Sequence, residues 1–207
     1  MLYLLPILLC ITLNLLILKI IFSLKAKKIS LNKSSIISIS MFLTLIAFIS
    51  MELGKFINLY LIKSYSNIFG GVLLSLIGLN YIIEHKKIIE YKNGYDTSFY
   101  HETFSKYRKY FFTPSLIDKN NSKDIEINES IYISIPLSLC TFLMFFASGV
   151  TLIDIPSTLF LVFISTTLIL CTNFLKKLYI LNNFLNKYCL LTVSTILILY
   201  GILKILA

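Results

Sequence analysis

The chain alternates between long apolar stretches and short charged ones. Six stretches carry no formal charge: Met1–Leu18, Ser34–Met51, Ser64–Ile83, Ser130–Ile153, Ile155–Leu175 and Tyr188–Leu203. About 20 helical residues cross the roughly 30 Å of hydrocarbon in a bilayer, and most of these stretches are that long. The last is short, but Lys204 can snorkel to the interface, and Ile205 to Ala207 extend the apolar surface. Polar and apolar positions do not alternate as they do in barrel strands. Helices close every backbone hydrogen bond within their own segment, as lipid demands. The pattern therefore predicts an all-α, polytopic membrane protein with six transmembrane helices.

Composition strengthens this expectation. Of 207 residues, 57% are hydrophobic and only 14% charged, and mean hydropathy is +0.84. A surface built from so much apolar side chain would aggregate in water but is at home in lipid. The N-terminal residues Met1 to Pro6 lack the basic region of a cleavable signal, so the first stretch is expected to be retained.

The net charge of +9 supplies the orientation. A nucleic-acid binder would gather its basic residues into a patch on a soluble fold, whereas here they fall between apolar stretches, which excludes that class. Lys25, Lys27, Lys28 and Lys33 lie in the first connection. Lys86, Lys87, Lys92, Lys106, Arg108, Lys109, Lys119 and Lys123 lie in the third, and Lys176, Lys177 and Lys187 in the fifth. The even connections and the C-terminus hold only Lys55, Lys63 and Lys204. The positive-inside rule then puts both termini outside a bacterial cell membrane and the odd connections in the cytoplasm. Lys19 reads as a cytoplasmic end anchor.

Three parts follow: residues 1–83 with three helices, a charged cytoplasmic segment over 84–129, and residues 130–207 with three more. Within the segment, Phe99, Thr103, Tyr107 and Phe111 can share one helical face flanked by Lys106, Arg108 and Lys109. Such an in-plane helix would rest on anionic lipid headgroups, or serve as a docking site for a specific lipid or a membrane-protein partner.

The stretch Asp118 to Glu129 has oxygen-bearing side chains at the first, third, fifth, ninth and twelfth positions of a twelve-residue loop: Asp118, Asn120, Ser122, Glu126 and Glu129. Asp124 adds a further carboxylate and Ile125 stands eighth. This is the spacing of an EF-hand, in which a tight turn aims alternate oxygens at a calcium ion; manganese would suit the same oxygens. The sixth position, normally glycine, is Lys123. The competing reading is a polar linker that caps the fourth helix.

Other polar groups are sparse. Glu52 and Lys55, three apart at the end of an uncharged stretch, could pair within the membrane or mark its outer rim, and Asp154 sits in the fourth connection. Gly71, Ser75 and Gly78 share a face of the third helix, where small residues permit close helix approach. Cys10, Cys140, Cys171 and Cys189 lie in apolar stretches and read as small hydrophobes. No catalytic signature or phosphate loop occurs, so no enzyme is expected.

Pro114, followed by Asp118-x-Asn120-x-Ser122-x-x-Ile125-x-x-x-Glu129 leading into a helix, resembles the YtaF-type sporulation membrane proteins. These are relatives of manganese efflux pumps in the LysE-like exporter group. Gly70-Gly71, Leu76-Ile77-Gly78-Leu79, and Ser50-Met51 with Gly54 are similar as well. The resemblance implies a 3 + 3 arrangement of inverted repeats with an ion site between the halves. Pumps of this type place one Asp in the first helix and another in the fourth, and carboxylate oxygens suit manganese. The matching positions here are Asn14 and Cys140, while Lys19 and Ser23 replace glycines. The resemblance thus implies a sporulation-associated membrane protein that kept the scaffold and lost the midplane ion site. The alternative is a divalent cation (manganese) efflux transporter using other ligands.

Overall fold

The computed structural model describes residues 4–26, 28–60, 63–92, 117–118, 120, 122–151, 155–171 and 179–206. Six helices account for most of them: α1 (Leu4–Ala26), α2 (Lys33–Asn58), α3 (Lys63–Lys92), α4 (Ile127–Val150), α5 (Ile155–Cys171) and α6 (Tyr179–Leu206). Five are long and apolar enough to cross a membrane, whereas α5 has 17 described residues. Two-residue strands, β1 (Ser30–Leu31) and β2 (Asp124–Ile125), precede α2 and α4 and pair in parallel.

The strand pair sets the layout. It brings the end of α1 and the starts of α2 and α4 to one face of the bundle, here called the clasp face. At the other face Asn58, closing α2, donates its side-chain amide to the Val150 carbonyl that closes α4. The two helices therefore run parallel along their lengths. Helix α3 runs antiparallel to α6: Gly71 near its start fits against the Gly201 carbonyl, and Gly78 against Ser194. The principal contacts of α1 are with α4, α5 and α6, and α2 also meets α5 while α3 meets α4.

On α2, small residues are buried beside the large apolar Ile36, Ile39, Leu43 and Met51, while many large apolar residues stay outside. The small or compact inward residues include Ser35, Ser40, Ala47, Ser50, Gly54 and Asn58. The outward ones are Ile37, Met41, Phe42, Leu45, Phe48 and Ile49, large and exposed. Lipid gives apolar side chains no reason to hide, so helices associate where small side chains let backbones approach. Most buried hydroxyls bond within their own helices, as Ser50 does to the Ala47 carbonyl at 2.9 Å and Thr141 to Leu137 at 2.7 Å. Helix α1 is the most enclosed, with Leu9, Leu13, Leu16, Ile17, Ile20 and Ile21 all buried.

Two sequence boundaries move. Lys19 does not end the first helix but lies buried within it, two turns before Ala26, with its ammonium near the Cys189 thiol of α6. Likewise α3 runs past Ile83 through Glu84 and His85 to Lys92. A single charge ends an uncharged stretch but does not break a helix, whose backbone bonds are indifferent to it. The aromatic face over Phe99–Phe111, Pro114 and Asp154 lie outside the described residues.

Candidate functional site

Two places gather the polar residues singled out by sequence. The first is the clasp. Asp118 is buried, and its carboxylate accepts from the Ser122 N–H at 3.1 Å and the Lys123 N–H at 3.0 Å. The Asn120 side-chain oxygen also accepts from Ser122 N–H, at 3.0 Å. Ser122 donates its hydroxyl to the Asp124 carbonyl at 2.8 Å. These bonds wind the chain into a tight turn, and Lys123 takes φ 67 at the position where an EF-hand has glycine. A left-handed conformation costs a side-chain-bearing residue about 1 kcal/mol, which the Asp118 bonds offset.

Most oxygens of this turn are directed at backbone. Asp124 is joined to the Ser30 hydroxyl across the strand pair. Glu129 accepts from the Glu126 N–H at 3.4 Å, in the manner of a helix N-terminal cap. Glu126 itself is exposed. Among the described residues no three His, Cys, Asp or Glu groups converge as metal ligands.

The strand pair then ties the turn to the first half of the chain. Ser30 N–H donates to the Lys123 carbonyl at 2.8 Å, and Ser35 Oγ to the Ile125 carbonyl at 2.7 Å. Beneath it Ile29, Leu31, Ile117 and Ile125 are buried together in the core. The strand pair thus lies over apolar side chains that belong to the common core. No local sequence signal marks Ser30–Leu31 as a strand, because its partner lies 94 residues away.

The second place is the mid-height interior. Asn14 lies halfway along α1, is buried, and its side-chain oxygen has no hydrogen-bond partner. Around this depth stand Thr12, whose hydroxyl bonds the Leu9 carbonyl at 2.8 Å and touches Met144 Sδ at 3.5 Å, and Cys10, whose thiol faces Ser165. Beside Asn14, Cys189 donates to the carbonyl of Leu15, the next residue of α1, at 3.2 Å. Cys140 sits at the middle of α4 and is half-buried. Asn14 was found by resemblance; its unpartnered oxygen is a structural finding. Tyr200 on α6 shows a second such group, its phenol facing Thr151 without closing a bond of normal geometry.

Glu52 belongs to neither place. It is exposed on the outer side of α2 beside exposed Lys55, in an open groove lined by Phe48, Ile49, Leu53, Phe56 and Leu59. It therefore faces away from the helix bundle. Gly70, Gly71 and Gly78 divide between two partners: Gly70 fits against Ala147 of α4, the other two against α6.

Comparison with family models, curated proteins and solved structures returns no match for this chain.

Proposed function

We propose that the protein is a sporulation-associated integral membrane protein built on a cation-exporter scaffold, acting through membrane organisation or partners without a working midplane ion site. The scaffold reading draws support from the pattern of helix contacts. Each principal pair joins one of the first three helices to one of the last three. Exchanging α1 with α4, α2 with α5 and α3 with α6 turns this set of pairs into itself. The members of each exchanged pair run in opposite directions, as two inverted repeats would. Basic residues crowd the clasp face in the sequence, so that face is taken as cytoplasmic and both termini as external.

The observation that carries the functional reading is the chemistry around Asn14. The groups at that depth are an amide, hydroxyls and thiols, and the buried charge nearest them, Lys19 beside Cys189, is itself a cation. A dication stripped of water needs counter-charge, since burying it without any costs many kcal/mol. Neutral oxygens do not supply it. No catalytic role is proposed.

One observation favours a second reading, a divalent cation (manganese) efflux transporter. The Asn14 oxygen is buried, unpartnered and at the depth where such pumps carry a carboxylate. Deleting the gene and measuring cell manganese and spore yield separates the two. A sporulation defect with unchanged manganese is the expected result. Raised manganese, lowered again by reintroduction, would install the transporter reading in its place.

A further inference from the structure

The groove on the outer face of α2 pairs two opposite charges in an otherwise apolar surface. Glu52 and Lys55 are three residues apart and both exposed, and among the described residues neither is paired with a protein counter-charge. Above and below them Phe48, Ile49, Leu53 and Phe56 line the groove. At the end of the helix Phe56 and Tyr60 stack edge to face, with centroids 5.2 Å apart.

Depth fixes what can meet these charges. At 1.5 Å per residue, Glu52 stands about 9 Å before the end of α2 and Lys55 about 4.5 Å. The whole helix is about 39 Å long, so if it is centred on about 30 Å of hydrocarbon Lys55 stands at the headgroup boundary and Glu52 about one turn inside it. Aromatic residues such as Phe56 and Tyr60 belong at the same level. A carboxylate there gains by accepting from an ammonium, and a Lys ammonium by donating to a phosphate.

We propose that this groove binds a phospholipid whose headgroup joins a primary ammonium to a phosphate, the phosphatidylethanolamine class. Glu52 takes the ammonium, Lys55 the phosphate, and an acyl chain lies along Phe48, Ile49 and Leu53. A second copy of the chain would offer the same charges reciprocally, but the face lacks what helix association in lipid requires. Around Glu52 and Lys55 its residues are large, and the nearest small ones of α2, Ala47, Ser50 and Gly54, are buried in the bundle. The proposal rests on the membrane reading of the fold and is independent of ion transport.

The test is native mass spectrometry of the full chain released from detergent and titrated with phosphatidylethanolamine, phosphatidylcholine and phosphatidylglycerol of matched acyl chains. The trimethylated choline headgroup cannot donate a hydrogen bond to Glu52, and phosphatidylglycerol has no cation. Phosphatidylethanolamine is expected to be retained about tenfold more tightly than phosphatidylcholine. Glu52→Gln should remove that preference, and Lys55→Gln should weaken retention of all three. Lys33→Gln, at the opposite end of α2, should change neither, and unchanged helicity shows that each variant folds. Equal retention of the ethanolamine and choline lipids by the unaltered chain overturns the proposal. So does a preference that survives Glu52→Gln, or a protein dimer that Glu52→Gln dissociates.

Discussion

Gly54 of α2 and Gly149 of α4 meet backbone to backbone: a Cβ on Gly54 would stand 3.0 Å from the Gly149 carbonyl carbon and 2.8 Å from the Val150 nitrogen. A Cβ on Gly149 would in turn stand 2.8 Å from Met51 Cα. Backbone cannot move aside as a flexible side chain can. Gly54→Val and Gly149→Val are each expected to cost about 1–3 kcal/mol, read as a lowered unfolding temperature in detergent. Leu53→Ala, one residue away but facing outward, should change stability by no more than about 0.5 kcal/mol.

The unpartnered oxygen of Asn14 makes an opposite prediction. Burying a polar atom without a partner costs about 1–3 kcal/mol, so Asn14→Leu, of similar size, should leave thermal stability unchanged or raise it. Manganese content of cells carrying this variant should match the unaltered strain. A clear loss of stability would mean that a bound group satisfies the oxygen in the membrane.

Truncating the clasp should loosen it. Ile125 is fully buried and Ile125→Ala is expected to destabilise by about 2–5 kcal/mol. Ser30 and Asn32 donate their N–H groups to the Lys123 and Ile125 carbonyls. Hydrogen exchange at those two amides should speed up in Ile125→Ala while the middle of α2 stays protected.

Lys123 holds φ 67 without the freedom of a glycine. Lys123→Gly should raise stability by roughly 1 kcal/mol, because it removes the steric penalty and leaves the Asp118 bonds intact. Under the capping reading, millimolar calcium or manganese leaves the unfolding temperature of both forms unchanged. An ion-dependent rise in the unaltered chain would make Asp118 to Glu129 an ion site.

Membrane character and the six helices of the described residues, five of them long and apolar enough to cross, were legible in the chain because lipid imposes a length and a hydrophobicity that few residues can disguise. The spacing of Gly71 and Gly78 likewise announced a close helix contact, and both meet α6. Helix ends were less legible. Lys19 and Glu84 look like boundaries to a reading based on charge, yet both are buried within longer helices. The strand pair was invisible, since two residues have no periodicity and Ser30 meets Asp124 only through tertiary folding. Glu52 shows the remaining gap: spacing placed it beside Lys55, but which way the pair faces depends on where α4 sits.

The way the helices share partners also bears on how the protein is made. Because the principal neighbours of α1, α2 and α3 are α4, α5 and α6, the first three helices enter the membrane with little to hold them together. Gly54 and Gly71 have no matching backbone, and Ser30–Leu31 has no second strand, until the later half follows from the ribosome. Close packing of the early helices thus waits on the later ones.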